Sequence, residues 1–205
     1  MAIETTLPKN FALYKELNHS RQSPAYFIIN MLTALLFLLF FSLLSQAAAA
    51  MRADFEGAAI GGLRGWAVLG VFLLAFVMIF VHEALHLLSF WSFTGIKPTF
   101  SVTGLVPRTI VPSLYLPKGI YLLIKATPLV LLTGVYLALV PYLPLSWLMF
   151  SFFFFAGNIA YSASDIWAMV ETVKAPHGAL VEDVGEFVRL FSDKQFIAKP
   201  PAGTK

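Results

Sequence analysis

The 205-residue chain has no cysteine, and only 12% of its residues are charged. Without cysteine there can be no disulfide, thiolate nucleophile or cysteine-bound zinc or iron–sulfur cluster, so any metal must be held by His, Asp or Glu. Soluble domains carry charge on about a quarter of their residues, whereas 59% of this chain is hydrophobic. The composition excludes a disordered chain and a nucleic-acid-binding tail, and it indicates an integral membrane protein.

Four apolar stretches approach or exceed the about 20 residues that a membrane-spanning helix needs. They cover about 26–50, 65–93, 119–140 and 145–170. The first is longer than the about 7–15 apolar residues of a signal peptide, and we expect it to remain as an uncleaved anchor. The pattern predicts an all-α polytopic membrane protein with four transmembrane helices.

Basic residues fall on alternate sides of these predicted helices. They are Lys9, Lys15 and Arg21 before the first helix, and Lys97, Arg108 and Lys118 between the second and third. The link between the third and fourth helices carries no charge. Because cytoplasmic loops are enriched in Lys and Arg, we expect both termini to be cytoplasmic. We expect the membrane to be a prokaryotic inner or plasma membrane.

Two further segments show patterns of their own. Residues 99–103 alternate polar and apolar, Gly104 follows, and residues 105–111 are rich in β-branched side chains, which predicts a short β-hairpin or re-entrant ribbon between helices two and three. Apolar residues at helical spacing over 179–191 predict an amphipathic helix at the membrane surface or against the helix bundle. The chain is thus divided into a cytoplasmic segment (1–24), a four-helix membrane domain (25–170) and a cytoplasmic amphipathic tail (171–205).

Ionisable residues inside a membrane are costly and point to function. The second helix carries His82-Glu83-Ala84-Leu85-His86, an H-E-x-x-H motif. At 3.6 residues per turn both histidines lie on one face and can reach one metal ion. Glu83 lies about 100° round the helix from His82, where it can reach a metal-bound water without being a ligand. This spacing is typical of zinc hydrolases.

The other acid at membrane depth is Asp165, in the fourth helix. Two histidine ligands need a third protein ligand, and Asp165 is that ligand by elimination. Asn158, Tyr161, Ser162 and Asp165 follow one another at i, i+3, i+4 and i+7, which makes one polar stripe. The alternatives are an ion pair between Asp165 and Lys125 and a structural interhelical hydrogen bond for Asn158. Tyr161 and Ser162 are expected to pack and form hydrogen bonds rather than to act as catalysts.

These residues make the sequence similar to a known family. It resembles the small membrane-embedded zincin peptidases, which are relatives of the site-2 proteases, through the H-E-x-x-H motif, Ala126-Thr127-Pro128-Leu129 and the segment from Asn158 to Ile166. The resemblance covers about 65–170. It implies a zinc site formed by His82, His86 and Asp165, with Glu83 as the general base, and cleavage of a peptide bond within or beside the membrane.

The leading hypothesis is therefore a zinc-dependent intramembrane protease that acts on a membrane protein or a membrane-adjacent peptide. In this mechanism Glu83 takes a proton from water on Zn²⁺, and Asn158 donates a hydrogen bond to the substrate or the oxyanion. One alternative is a non-catalytic subunit or assembly factor of a membrane complex. Another is a metal-dependent hydrolase of a lipid or other small amphiphile.

Overall fold

The computed structural model describes residues 3–20, 23–51, 65–103, 106–110 and 114–197. Arg21, Gly104 and residues 198–205 lie outside the described residues. The elements in chain order are β1 (Phe11–Asn18), α1 (Pro24–Met51), α2 (Gly65–Thr94), β2 (Thr99–Thr103), β3 (Val106–Ile110), β4 (Leu116–Pro117), α3 (Lys118–Leu139), a 3₁₀ turn (Val140–Tyr142), α4 (Leu145–Tyr161), α5 (Ala163–Lys174), β5 (Leu180–Asp183), β6 (Phe187–Asp193) and α6 (Lys194–Ile197).

Among the described residues, three helical segments are long and apolar enough to cross a membrane. They are Pro24–Ala47, Leu69–Thr94 and Lys118–Tyr142, and they agree with the first three predicted helices. Pro128 lies inside α3. Long apolar runs form helices in a bilayer because a helix pairs its backbone N–H and C=O groups with each other, where no water is present to bind them.

The predicted fourth helix over 145–170 is helical in the structure but interrupted at Ser162. α4 ends at Tyr161 after 17 residues, and α5 begins at Ala163. Ser162, between them, has φ −69° and ψ 0°, and its hydroxyl donates a hydrogen bond of 2.8 Å to the carbonyl oxygen of Asn158. Such back-bonding by serine competes with the helix ladder and commonly bends a helix.

The predicted amphipathic helix over 179–191 is wrong, since this segment forms β5 and β6. They belong to a four-stranded antiparallel sheet in the order β1-β6-β5-β4. Gly185, at φ 87°, supplies the left-handed conformation of the turn between β5 and β6. β6 pairs with β1 from Asn18↔Phe187 to Phe11↔Asp193. Because β1 is so distant in sequence, the local pattern of 179–191 could not show that this segment pairs as a strand.

The predicted hairpin between the second and third helices is confirmed. β2 and β3 form a two-stranded antiparallel sheet, with Thr99 opposite Ile110 and Thr103 opposite Val106. The all-α class is corrected by both sheets: the protein is mostly helical with small antiparallel sheets.

The chain divides into two compact units, and the first comprises 1–28, 86–126 and 165–205. Within it the four-stranded sheet and helical segments bury a common apolar cluster. Its buried members are Leu17, Phe90, Leu114, Leu116, Tyr121, Ile124, Ala168, Ala175, Ala179, Val181, Val188 and Leu190. Removing these side chains from water is the main favourable term that holds the sheet to its helices.

The second unit comprises 29–85 and 127–164, and its described residues are mostly helical. Its buried apolar cluster consists of Tyr136, Val140, Leu148 and Phe152. Aromatic rings extend this cluster: Phe41 lies 4.8 Å from Phe153 between ring centroids. Offset and tilted ring pairs at this distance are favourable arrangements for packed aromatic side chains.

Candidate metal centre

Both histidines of the H-E-x-x-H motif are buried side chains of α2. His82 has no exposed surface and His86 is 5% exposed. Because they are four residues apart on a continuous helix, their rings project from the same face one turn apart. An apolar helix presents two buried imidazoles here, and each of them needs polar partners.

His82 has its hydrogen-bond partner on α4. Its Nδ1 lies 2.9 Å from Oδ1 of Asn158. An amide oxygen only accepts hydrogen bonds, so Nδ1 donates in this contact and Nε2 is the ring nitrogen left for a metal ion. The interhelical hydrogen bond expected as the alternative role of Asn158 is thus present, and it fixes the tautomer of His82 with Nε2 as the donor atom for a metal.

His86 is oriented in the same way by the backbone. Its Nδ1 lies 3.1 Å from the carbonyl oxygen of Ile124, so Nδ1 again donates. Its Nε2 lies 3.2 Å from Oδ2 of Asp165, which is itself 7% exposed. With the proton on Nδ1, a lone pair of His86 faces a carboxylate oxygen, and this contact requires a cation, either a proton or a metal ion, between them.

The three predicted ligands come together. One donor atom each from His82, His86 and Asp165 lies within 4.8 Å of the other two. Two imidazole nitrogens and one carboxylate oxygen are a typical donor set for zinc. The 3.2 Å between Nε2 of His86 and Oδ2 of Asp165 is close to the about 3.4 Å that separates two ligands of a tetrahedral ion at about 2.1 Å. The residues therefore fit a zinc ion.

Ligand histidines in metalloproteins usually donate their other ring N–H to a carbonyl or carboxylate oxygen. His82 and His86 both do so, through Asn158 and the backbone of Ile124. The spacing of the motif could not reveal these partners, since one is a backbone atom of α3 and the other lies 76 residues away.

Glu83 is half-buried and lies beside the first histidine. The hydroxyl of Tyr161 donates a hydrogen bond of 3.2 Å to its Oε1. The same tyrosine meets the ring of His82 edge-on, with the centroids 4.8 Å apart. Tyr161, for which the sequence favours a packing and hydrogen-bonding role, thus contacts the predicted base and a predicted ligand.

The other predicted alternative for Asp165 is present as well. Nζ of Lys125 lies 3.1 Å from Oδ1 of Asp165, and the same ammonium lies 3.1 Å from Oδ2 of Asp183. Asp165 thus contacts Lys125 and His86 through different oxygens. Asp183 was not a candidate in the sequence because it was assigned to the tail.

One buried donor of this centre has no hydrogen-bond partner among the described residues. Nδ2 of Asn158 is enclosed, although Oδ1 of the same amide accepts from His82. A buried amide N–H without a partner costs free energy. This atom is therefore a candidate to donate to a ligand carbonyl.

Comparison with known proteins identifies one family. Residues 75–180, just over half of the chain, match the family model described as "Putative zincin peptidase". The matched segment contains the H-E-x-x-H motif, Asn158 and Asp165. No curated protein and no solved structure gives a significant match. The chain, with a His–His–Asp set that fits a metal ion, belongs to this zincin peptidase family.

Proposed function

We propose that the protein is a zinc-dependent intramembrane peptidase that hydrolyses a peptide bond in or next to the bilayer. The observation that carries the proposal is the convergence of one donor atom each from His82, His86 and Asp165, which all lie within 4.8 Å of one another. Family membership and three helices of membrane-spanning length support it.

The residues divide the chemistry between them. His82, His86 and Asp165 would hold the zinc ion, which supplies Lewis-acid polarisation of water and of the scissile carbonyl when it is bound. Glu83 accepts a proton from the attacking water and returns it to the leaving amine. Asn158 orients His82 through Oδ1 and donates from Nδ2 to the carbonyl oxygen of the substrate.

The order of these motifs supports a relationship to the site-2 proteases. In a membrane-spanning helix the backbone N–H and C=O groups are already hydrogen-bonded to each other, so a substrate must present an unwound segment to Glu83. Substrates that meet this requirement are single-span membrane proteins and peptides that lie against the membrane. The lipid bilayer is the other partner.

We further propose four membrane crossings, in a prokaryotic inner or plasma membrane with both termini in the cytoplasm. The first three are the helices of spanning length, and α4 is the fourth. With 17 residues α4 lies at the lower end of the range for a crossing, about 17–25 residues. An even number of crossings agrees with the distribution of Lys and Arg in the sequence.

A non-catalytic role in a membrane complex is the second candidate. The contact of Lys125 with Asp165 favours it, because an ammonium balances the carboxylate without a metal ion. In that case the centre would be a structural polar network between helices. The two functions predict different results for variants of Glu83.

The deciding experiment reconstitutes the purified protein with candidate single-span substrates and measures zinc content and cleavage together. Glu83→Gln should retain about one zinc per chain, because Glu83 is not a ligand, and should lower cleavage by about 10²- to 10⁴-fold, as expected for loss of a general base. His82→Ala should lose the zinc and the cleavage. Glu186→Gln, the same change at an exposed position, is the matched control and should behave as wild type.

Two results would contradict the proposal. Full cleavage by Glu83→Gln would remove the assigned base. Wild-type protein that binds no zinc and complements a deletion strain equally well with Glu83→Gln would favour the non-catalytic role.

A further inference from the structure

Lys125 of α3 lies outside the proposed ligand set but contacts one of its members. Its ammonium sits between two carboxylates, 3.1 Å from Oδ1 of Asp165 and 3.1 Å from Oδ2 of Asp183. The side chain is only 20% exposed. A largely buried ammonium needs such partners, because an unpaired charge in this environment is strongly unfavourable.

The two oxygens of Asp165 have different neighbours. Oδ1 contacts Lys125, whereas Oδ2 faces Nε2 of His86. The ammonium of Lys125 competes with a metal ion for Oδ1, which disfavours binding of one ion through both oxygens. Asp165 is thereby set to offer a single oxygen next to the histidine nitrogen.

Asp183 is in turn fixed through both of its oxygens. Its Oδ1 accepts a hydrogen bond of 2.9 Å from the backbone N–H of Gly185, and its Oδ2 accepts one of 3.3 Å from the hydroxyl of Tyr121. Gly185 belongs to the tight turn between β5 and β6. The position of the Lys125 ammonium is therefore defined by the end of a strand.

We infer that Lys125, held by Asp183, is a positioning residue that keeps Asp165 a one-oxygen ligand of the metal. This inference rests on the proposed zinc site. Asp183 lies beyond residues 75–180, the segment matched by the family model. The sheet of this chain thus contributes to the metal centre through a residue outside that segment.

The opposite effect of Lys125 would be competition with the metal for Asp165. The geometry favours positioning, because the ammonium contacts Oδ1 and the oxygen that faces His86 is Oδ2. Without Lys125, Asp165 and Asp183 would lose the cation that they share, and Oδ1 of Asp165 would lose this contact. Substitution of a residue that orients a metal ligand in this way typically lowers metal affinity by about 10- to 100-fold.

The test uses the full-length protein in detergent and two measurements that do not depend on turnover. Zinc affinity is measured by competition with a chelator, and the absorption spectrum of the Co²⁺-loaded protein reports the coordination number. The variants are Lys125→Met, Lys125→Arg, which preserves the charge, and Asp183→Asn, which preserves the acceptor for Gly185. Lys118→Met is the control, because Lys118 is on the same helix and binds the backbone carbonyls of Val173 and Ala175.

We expect Lys125→Met to weaken zinc binding by about 10- to 100-fold and to shift the Co²⁺ spectrum toward a higher coordination number. Lys125→Arg should restore both properties, Asp183→Asn should give a smaller loss, and Lys118→Met should match wild type. If Lys125→Met does not fold, Asp183→Asn and Lys125→Arg decide the question.

The inference is overturned if Lys125→Met binds zinc as tightly as wild type or more tightly and its Co²⁺ spectrum is unchanged. Where only Asp183→Asn folds, the same result for that variant overturns it. Either result leaves the proposed zinc site intact. Wild-type protein that binds neither Zn²⁺ nor Co²⁺ overturns the zinc site, and this inference falls with it.

Discussion

Tyr161 and Glu83 are joined by a hydrogen bond of 3.2 Å from the phenol hydroxyl to Oε1 of the carboxylate. The tyrosine ring also meets His82 edge-on. One side chain of α4 therefore restrains both the proposed base and a proposed ligand. A base that is already oriented loses less entropy when it receives a proton from water.

Tyr161→Phe removes this hydrogen bond and keeps the ring. Hydrogen bonds to charged groups contribute about 1.5–3 kcal/mol, and we expect kcat to fall by about tenfold with zinc content unchanged. Turnover of a cleaved single-span substrate and metal analysis measure the two effects. Tyr142→Phe, at an 83% exposed tyrosine, should match wild type, and an unchanged kcat in Tyr161→Phe would refute a role in orienting Glu83.

Substitutions of Asn158 separate its two proposed roles. Asn158→Asp keeps an oxygen that accepts from Nδ1 of His82 but removes the buried Nδ2 donor, so zinc affinity should stay close to wild type while kcat falls. Asn158→Ala removes both groups, and zinc affinity should fall by about 10- to 100-fold. Competition with a chelator and turnover assays test this, and Asn158→Asp with full activity would exclude Nδ2 as a donor to substrate.

The parts of the protein that depend on local pattern could be predicted from the sequence. The first three helices follow from apolar runs, the hairpin of β2 and β3 from alternation, and the His82–His86 pair from helical spacing. Asp165 could be named as a candidate ligand because so few acidic residues fall within the apolar stretches of the sequence. Each of these inferences uses residues that are close in sequence or rare in their environment.

The parts that depend on distant partners could not be predicted. β6 is a strand because β1, more than 160 residues away, pairs with it, while its apolar spacing also fits a helix. The partner of His86 is the backbone carbonyl of Ile124, which no side-chain pattern can show. The roles of Tyr161 and Asp183 likewise depend on tertiary contacts.

The contacts of Glu171 predict a pH-dependent contribution to stability. Hydrogen bonds from Lys15 and Lys174 lower the pKa of this carboxyl below its usual 4.5, against the effect of burial. Because the pKa is lower in the folded protein, the stabilisation is present above about pH 4.5 and is lost as the pH falls through the folded-state value. The contribution should be at most about 1 kcal/mol, since Lys15 is half exposed.

Thermal unfolding of Glu171→Gln in detergent tests this dependence. The variant should have a lower Tm than wild type at pH 7, and the difference should shrink as the pH falls below 4.5. Lys15→Met removes one of the two lysine partners of Glu171 and should show the same pH dependence of its Tm difference from wild type. A difference in Tm that is constant across this range would contradict the assignment.

The turn between β5 and β6 should be sensitive to a side chain at Gly185. Its φ of 87° costs an L-residue about 1–2 kcal/mol, so Gly185→Ala should lower the Tm and disturb Asp183, which accepts from the N–H of this residue. Gly134→Ala is the control, because no described atom lies within 4 Å of the added Cβ. As a substitution inside α3, it should stabilise by about 0.5–1 kcal/mol. Equal Tm values for the two variants would contradict the strained turn.

The proposed orientation can be tested directly, because the chain has no cysteine and any introduced thiol is unique. Tyr142 follows α3 and is 83% exposed, and His177 follows α5 and is also exposed. If both termini are cytoplasmic, Tyr142→Cys should react with a membrane-impermeant maleimide in intact cells, whereas His177→Cys should react only after permeabilisation. The expectation rests on the basic residues Lys97, Arg108 and Lys118, which lie before and at the start of α3, and on the uncharged link that follows this helix. Labelling in the reverse pattern would invert the topology, and labelling of both residues in intact cells would leave α4 without a membrane crossing.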